Sequence, residues 1–565
     1  MLFRYVSSVA LFLVLIVGCT KTNQVTSDND PSPPELLGKT VDQSSQPLEQ
    51  PVIDPTVQST AGTAGSESTG SGDSSKFSLA SFEEQAGDSD SSTGDSTGEK
   101  SNPAVIEEKP PLADWPEPRL VFFVTGRQHG YIEPCGCTGL ENAQGGLTRR
   151  MTFLNSVRDR NWNLVSIDVG NQVRRVGKQA DIKFQRTVDI FNEMKYDALG
   201  FGPDDLRLSL DGLLAPVNSA PFVSANVDVL GLNKQFKVIE AGGIKVGITS
   251  VLGAEKQESI NNSDVILSEP LQGLKKVIPE MKAAGTQFYV LLAHASVKET
   301  QKIVQAIPNT FHLVVTAGGA GEPTLEPVRL PKSKSRIIQV GTKGKFAGIF
   351  GVFNNPKQPV MYERVVLDSR FKDSKRVLDI FADYQKQLEI ESLKGLQVQA
   401  VRHPRSREKV EYRFVGHETC GECHTAAYQV FEGTPHFHAT DSLVTPPNDR
   451  GTIARHFDPE CLSCHVTGWN PQEYYPYKSG YLQISDAKLH SNGCENCHGP
   501  GSRHVDAENG DIEVTDEQLD ALRKEMRLTL AEAKKNTCYT CHDIDNSPEF
   551  DFDSYWEQVK HEGVN

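Results

Sequence analysis

The chain has 565 residues, with 58 Lys and Arg against 74 Asp and Glu, for a formal net charge of −16. That acidic balance argues against a nucleic-acid partner, and the length is enough for several domains.

The first segment, residues 1–18, has a basic start at Arg4 and an apolar run from Val9 to Val17. This is the shape of a signal peptide. It ends Ile16-Val17-Gly18-Cys19, which resembles a bacterial lipobox. The resemblance implies cleavage before Cys19 and lipidation of that residue, so a lipid anchor is the expected contact with the membrane. An uncleaved membrane anchor is the other reading, but the run is short for a spanning helix, which needs about 20 residues. Either way the expected location is outside the cytoplasm. No aspartate follows Cys19, and the sorting pattern then implies the outer membrane or its periplasmic face.

Residues 19–114 are rich in Ser, Thr, Gly, Pro, Asp and Glu, and carry few large apolar side chains. They cannot bury enough surface to offset the entropy of ordering, so a flexible acidic tether is expected, with a coil reach of roughly 50–60 Å.

Residues 115–370 alternate short apolar runs with helix-like stretches. Strands are expected at 120–125, 164–169, 222–227, 245–251, 288–293, 313–316 and 337–340, and helices at 148–160, 183–194 and 271–284. This predicts an α/β domain with largely buried strands. Its landmarks, Gly145-Gly146-Leu147, Ser224-Ala225-Asn226-Val227 and Gly242-Gly243-Ile244-Lys245-Val246-Gly247, resemble those of the calcineurin-like metallophosphatases of the 5′-nucleotidase branch. The resemblance implies the metallophosphatase sandwich and a two-metal hydrolytic site. Such a site needs anionic ligands to hold a cation pair about 3.5–4 Å apart. At the ligand positions this chain reads Arg127-Gln128-His129, Gly170-Asn171, Gly202-Pro203-Asp204-Asp205 and Ala317-Gly318-Gly319-Ala320. Only His129 and His294 stay in register, so a non-hydrolytic descendant is expected. Cys135-Gly136-Cys137 follows closely. A structural disulfide, a redox pair and a soft-metal site shared with His129 and His294 all fit that spacing.

Residues 371–413 form a connector. Val377, Leu378, Ile380, Phe381, Tyr384 and Leu388 recur at helical spacing. Residues 402–409 read as a basic, solvated joint.

Residues 414–565 hold four copies of one pattern: Cys420-x-x-Cys423-His424, Cys461-x-x-Cys464-His465, Cys494-x-x-Cys497-His498 and Cys538-x-x-Cys541-His542. C-x-x-C-H is the signature of covalent c-type haem attachment. Two cysteines three apart face one side of a helical turn and can bond one haem, while the next histidine reaches the iron. Zinc knuckles are the rival reading. All eight cysteines beyond Arg402 fall in these motifs, each pair followed by histidine, which favours haem. Four covalent c-type haems are therefore expected, with little regular secondary structure.

The text around the motifs, including Thr434-Pro435-His436, Cys464-His465-Val466-Thr467-Gly468-Trp469 and Cys497-His498-Gly499-Pro500-Gly501, resembles the tetrahaem five-five-four cytochromes. The resemblance implies electron transfer between protein partners and carries over three distal ligands: His504 to the first haem, His436 to the third and His561 to the fourth. His438 rivals His436, and His417, His456 and His490 are weaker candidates. The second haem, that of His465, is left without a distal side chain, although His456 is near in sequence. The leading expectation is an exported, lipid-tethered multihaem electron carrier. The alternatives are a small-molecule redox enzyme at an open haem of His465, and a phosphoesterase with a remodelled metal site.

Overall fold

The computed structural model describes residues 109–134, 143–447 and 451–561. The expected signal peptide, Cys19, the tether, and Cys135 and Cys137 lie outside the described residues.

Two sheets organise the middle domain. The first runs in the order Val360–Val366, Phe346–Val352, Leu120–Thr125, Leu164–Asp168, Ala198–Leu199. The second runs Val328–Arg329, Arg336–Gln339, Leu313–Thr316, Phe288–His294, Ile244–Leu252, Lys237–Ala241. Central strands pair in parallel, as Val121 with Leu164 and Val290 with Leu313, and antiparallel strands close the edges.

Strand periodicity explains the layering. Leu120, Phe122 and Val124 point into an inter-sheet core with Val246, Ile248, Val290 and Leu292. Val121 and Phe123 point the other way, onto the helices Leu147–Arg158 and Lys178–Glu193. The outer face of the second sheet buries Leu291 and Val314 against the helices Pro270–Ala283 and Val297–Ala306. This is a helix–sheet–sheet–helix sandwich, the central strands being apolar on both faces because both are covered.

Three expectations change. The run at 222–227 forms only isolated bridges, Leu199 to Phe222 and Val223 to Lys234, and the strand itself is Val227–Val229. Asn226 turns that backbone by bonding the Leu252 and Ser268 carbonyls, both at 2.9 Å, instead of extending a ladder. The domain also begins before residue 115, because Leu112 is 1% exposed in its core and its amide donates to Glu363. Finally, the connector helix Lys375–Gly395 belongs to the domain's helical layer, burying Val377, Phe381, Tyr384 and Leu388 there.

The last segment is built differently. Its helices are short, such as His417–Cys423, Pro459–His465 and Cys494–His498. Its one apolar cluster has seven buried members: Phe414, Leu443, Leu462, Val466, Trp469, Tyr481 and Leu489. No helix among the described residues is long and apolar enough to cross a membrane.

Candidate functional site

Each Cys-x-x-Cys-His motif lies on a helical turn, and local capping explains why. In the second, Pro459 opens the helix and the Asp458 carboxylate accepts from the Glu460 amide at 2.9 Å. In the third, Glu495 sits between the cysteines and is 2% exposed. Its carboxylate accepts from the amides of Val415 (2.9 Å), Gly416 (2.8 Å) and Gly501 (2.7 Å), tying the start of the first motif's helix to the third motif. Burial, the largest influence, raises the Glu495 pKa.

The motifs meet in pairs. The Cys420 and Cys494 thiols are close enough to act on each other, as are those of Cys464 and Cys541. Asn492 bridges the second pair, donating to the Cys464 carbonyl at 2.9 Å and reaching Cys541 Sγ at 4.0 Å. Cys538 acts electrostatically on Cys497. The attachment points are thus ordered first, third, fourth, second. These thiols stand in for the thioether sulfurs of a haem-loaded protein.

Three histidine pairs face each other. Ring centres are 6.3 Å apart for His424 and His504, 5.9 Å for His436 and His542, and 5.8 Å for His498 and His561. Two imidazoles on opposite sides of one metal, each bonded at about 2.0–2.1 Å, put ring centres roughly 6–6.5 Å apart. The gaps therefore fit an iron between each pair.

Nδ1 of several of these rings is occupied. His465 Nδ1 meets the Ala439 carbonyl at 2.8 Å, His498 Nδ1 that of Met526 at 2.6 Å, and His561 Nδ1 that of Val559 at 3.0 Å. A carbonyl only accepts, so Nδ1 carries the proton and Nε2 keeps its lone pair for a metal. Burial lowers the pKa of His436 to about 4 and also lowers those of His498, His504 and His542, so the neutral, ligating form prevails.

The distal assignment needs correction. His436 faces His542 and so belongs with the fourth motif, not the third. His561 faces His498 and belongs with the third, not the fourth. The reason is tertiary: the helix Phe552–Val559 leads the chain end back over the third motif, while the His436 carbonyl accepts from Asn492 between the second and fourth. Among the weaker candidates, His438 is exposed and lies 3.5 Å from Asp441. His417 meets the Tyr428 hydroxyl at 3.1 Å, and His490 Nε2 the Ile484 carbonyl at 2.9 Å. His456 packs on Phe457, with ring centres 3.9 Å apart. Arg405, expected in a solvated joint, instead donates to the His498 carbonyl at 2.8 Å.

The middle domain's loops at Arg127–His129, Gly170–Asn171 and Lys343 also converge. Arg127 N donates to Gly170 O (2.8 Å), His129 N to Asn171 O (3.1 Å) and Lys343 N to Arg127 O (2.8 Å). Arg127, His129, Asn171 and Lys343 all adopt positive φ, between 52° and 68°, a conformation non-glycine residues rarely hold. Asp205 is the knot of this loop. Its buried carboxylate accepts from the amides of Asn171 (2.8 Å), Gln172 (2.6 Å), Val173 (3.2 Å) and Gly202 (2.9 Å). His129 and His294 are close enough to act on each other, and burial, the largest cause, lowers both to about 3. Among the described residues no cluster of three or more His, Cys, Asp or Glu could hold a metal.

This loop face meets the haem segment. Arg455 donates to Glu133 from Nε (3.0 Å) and Nη2 (2.6 Å). Lys183 pairs with Glu460 at 2.7 Å, and the Arg175 guanidinium stacks 3.1 Å from the centre of the Tyr474 ring. Asp458 accepts from Gln179 (2.7 Å), Tyr384 (3.2 Å) and Gln385 (3.2 Å), and Lys343 pairs with Asp545. Sequence reasoning missed these residues. They are ordinary charged and polar side chains far apart in sequence, and the adjacent Arg174-Arg175 pair is the one local signal that could have drawn notice.

The protein is thus a phosphoesterase-like α/β domain joined to a multihaem c-type cytochrome segment. Residues 419–499 match the family of cytochrome c554 and c-prime. Cytochrome c-554 of Nitrosomonas europaea is 32% identical over 96 residues, covering 16% of this chain and 39% of that protein. The snake venom 5′-nucleotidase of Crotalus adamanteus is 25% identical over 276 residues, 43% of this chain and 46% of that protein. The chain therefore spans less than half the length of these two curated relatives. Among solved structures, a 5′-nucleotidase precursor from Thermus thermophilus aligns with a TM-score of 0.42 and 21% identity, covering 50% of this chain and 60% of that one.

Proposed function

We propose that this protein is an exported, membrane-tethered electron carrier that uses four covalent c-type haems, exchanges electrons with protein donors and acceptors, and has lost metal-dependent phosphoesterase activity. The observation that carries the reading is the set of three histidine pairs spaced to span an iron. Cys420 and Cys423, Cys461 and Cys464, Cys494 and Cys497, and Cys538 and Cys541 would hold the haems. His424, His465, His498 and His542 would be the proximal ligands, with His504, His561 and His436 distal to the first, third and fourth. The haems supply reversible one-electron transfer. The protein's residues fix the ring tautomers of His465, His498 and His561 and order the attachment points so that neighbours lie side by side.

Loss of hydrolysis follows from charge. Arg127 and Asn171 stand where anionic ligands would neutralise a cation pair, and Asp205 is committed to backbone amides. Tethering rests on Ile16-Val17-Gly18-Cys19 in the sequence.

Intact mass together with a reduced pyridine spectrum tests the haem reading. Four haems per chain are expected, and a colourless protein with zinc at the thiols would overturn it. Cys19→Ala should move the protein from the membrane fraction to the soluble exported fraction. Phosphate-ester turnover with added manganese or zinc should stay at background.

A further inference from the structure

We propose that the sandwich sets the reduction potential of the haem at the second motif through Asp458, whose ionised carboxylate it holds buried at the start of the helix Pro459–His465. The proposal rests on the haem reading of that motif. Asp458 is 4% exposed. Its carboxylate accepts from Gln179 Nε2 at 2.7 Å, Tyr384 Oη at 3.2 Å, Gln385 Nε2 at 3.2 Å and the Glu460 amide at 2.9 Å. Gln179 Nε2 also donates to Tyr384 Oη at 3.0 Å, so that hydroxyl turns its own proton toward Asp458. A carboxyl group that only accepts is in its ionised form.

The carboxylate lies one turn from an attachment cysteine. The Asp458 carbonyl accepts from the amides of Cys461 and Leu462, both at 2.9 Å, and the same helix leads through Cys464 to His465. The charges around it are paired. Lys183 meets Glu460 at 2.7 Å, and Arg455 holds Glu133 through bonds of 3.0 Å and 2.6 Å. Asp458 is bonded instead by neutral groups. Lys183 and Arg455 thus stand against Glu133, Asp458 and Glu460, which leaves one negative charge beside the motif. Reduction at the motif takes one electron from the donor protein and removes one unit of positive charge. A fixed anion withdrawn from water opposes that change and lowers the potential. Gln179, Tyr384 and Gln385 come from the sandwich helices Lys178–Glu193 and Lys375–Gly395. The fused domain thereby acts on the haem segment through hydrogen bonds and charge.

Redox titration of the haem-loaded full chain at mildly alkaline pH, followed by visible and paramagnetic resonance spectra, tests this. Asp458→Asn keeps a helix-capping side chain and removes the charge. It should raise the midpoint of one haem in four, changing that haem's oxidised-to-reduced ratio threefold or more at fixed applied potential. Lys183→Gln removes a cation from the same cluster and should shift the same haem the opposite way, by twofold or more. A role in packing alone gives no such reversal of sign. In a chain with Cys461 and Cys464 changed to alanine, neither substitution should move the remaining haems. If Asp458→Asn lowers the haem count or the melting temperature, Lys183→Gln decides. Four haems with unmoved midpoints, shifts of one sign in both variants, or shifts that persist without Cys461 and Cys464 overturn this proposal alone. A wild-type chain without haem overturns the electron-carrier reading with it.

Discussion

The middle domain and the haem segment solve the problem of a core in opposite ways. The sandwich buries apolar side chains in three layers, between its sheets and beneath the helices on either side. The haem segment gathers seven buried apolar residues into one cluster and spends its helices on presenting cysteines and histidines. The first can be stable through its own side chains. The second is short of apolar surface and depends on flat, apolar prosthetic groups to fill the space between its histidine pairs. The contrast extends to side-chain chemistry: the loops of one region are tied by the Asp205 carboxylate, while the other sets histidines face to face.

The comparison breaks most visibly if haem is withheld. A chain with all eight motif cysteines changed to alanine should lose amide-exchange protection across residues 414–561 while the sandwich keeps its own. Equal protection in both regions would show that the haem segment folds by side chains alone.

The next effect is at single irons. His436→Ala and His561→Ala should each convert about one quarter of the iron from low to high spin, read by electron paramagnetic resonance. In a background lacking Cys538 and Cys541, and hence the fourth haem, His436→Ala should add no further high-spin signal, whereas His561→Ala still should. The reverse result would restore the pairing inferred from resemblance.

Smaller effects probe the seam. Arg455 and Glu133 have side chains 7% and 14% exposed, so Arg455→Met leaves a carboxylate without its partner. Loss of one member of a buried pair costs about 3–5 kcal/mol, and a denaturant titration should show a destabilisation near the lower figure.

A more gradual effect is a slope with pH. The unfolded chain takes up protons on His129 and His294 below their ordinary value of 6.5, while the folded sandwich refuses them until about pH 3. Stability is therefore full above pH 6.5 and lost as pH falls toward 3. The loss is up to about 1.4 kcal/mol per pH unit from buried His294, and less from half-buried His129. His294→Gln should flatten the acid limb of a chemical-denaturation profile, and an unchanged slope would place the cause elsewhere.

Much of this architecture was legible in the chain. Short apolar runs announced Leu120–Thr125 and Phe288–His294, and a helix-like stretch announced Pro270–Ala283, all of which the structure keeps. Residues 222–227 misled because Asn226 spends its side chain on two carbonyls and turns the backbone, a choice that depends on where Leu252 and Ser268 end up. The helical turn at each Cys-x-x-Cys-His motif was legible because that geometry is local.

What lies beyond one turn is a different matter. Which histidine rings face each other, how the motifs are ordered, and how Arg455 comes to Glu133 are set by contacts between residues far apart in the chain. His561 comes 63 positions after His498, which it faces, and Glu133 is 322 positions from Arg455, to which it is bonded. By itself the sequence determined the four Cys-x-x-Cys-His turns and the α/β class, because motif spacing and apolar runs are properties of neighbouring residues. Only the tertiary structure decided the histidine pairs and the cationic seam, because both are made by packing, which brings together groups whose spacing along the chain carries no trace of their distance in space.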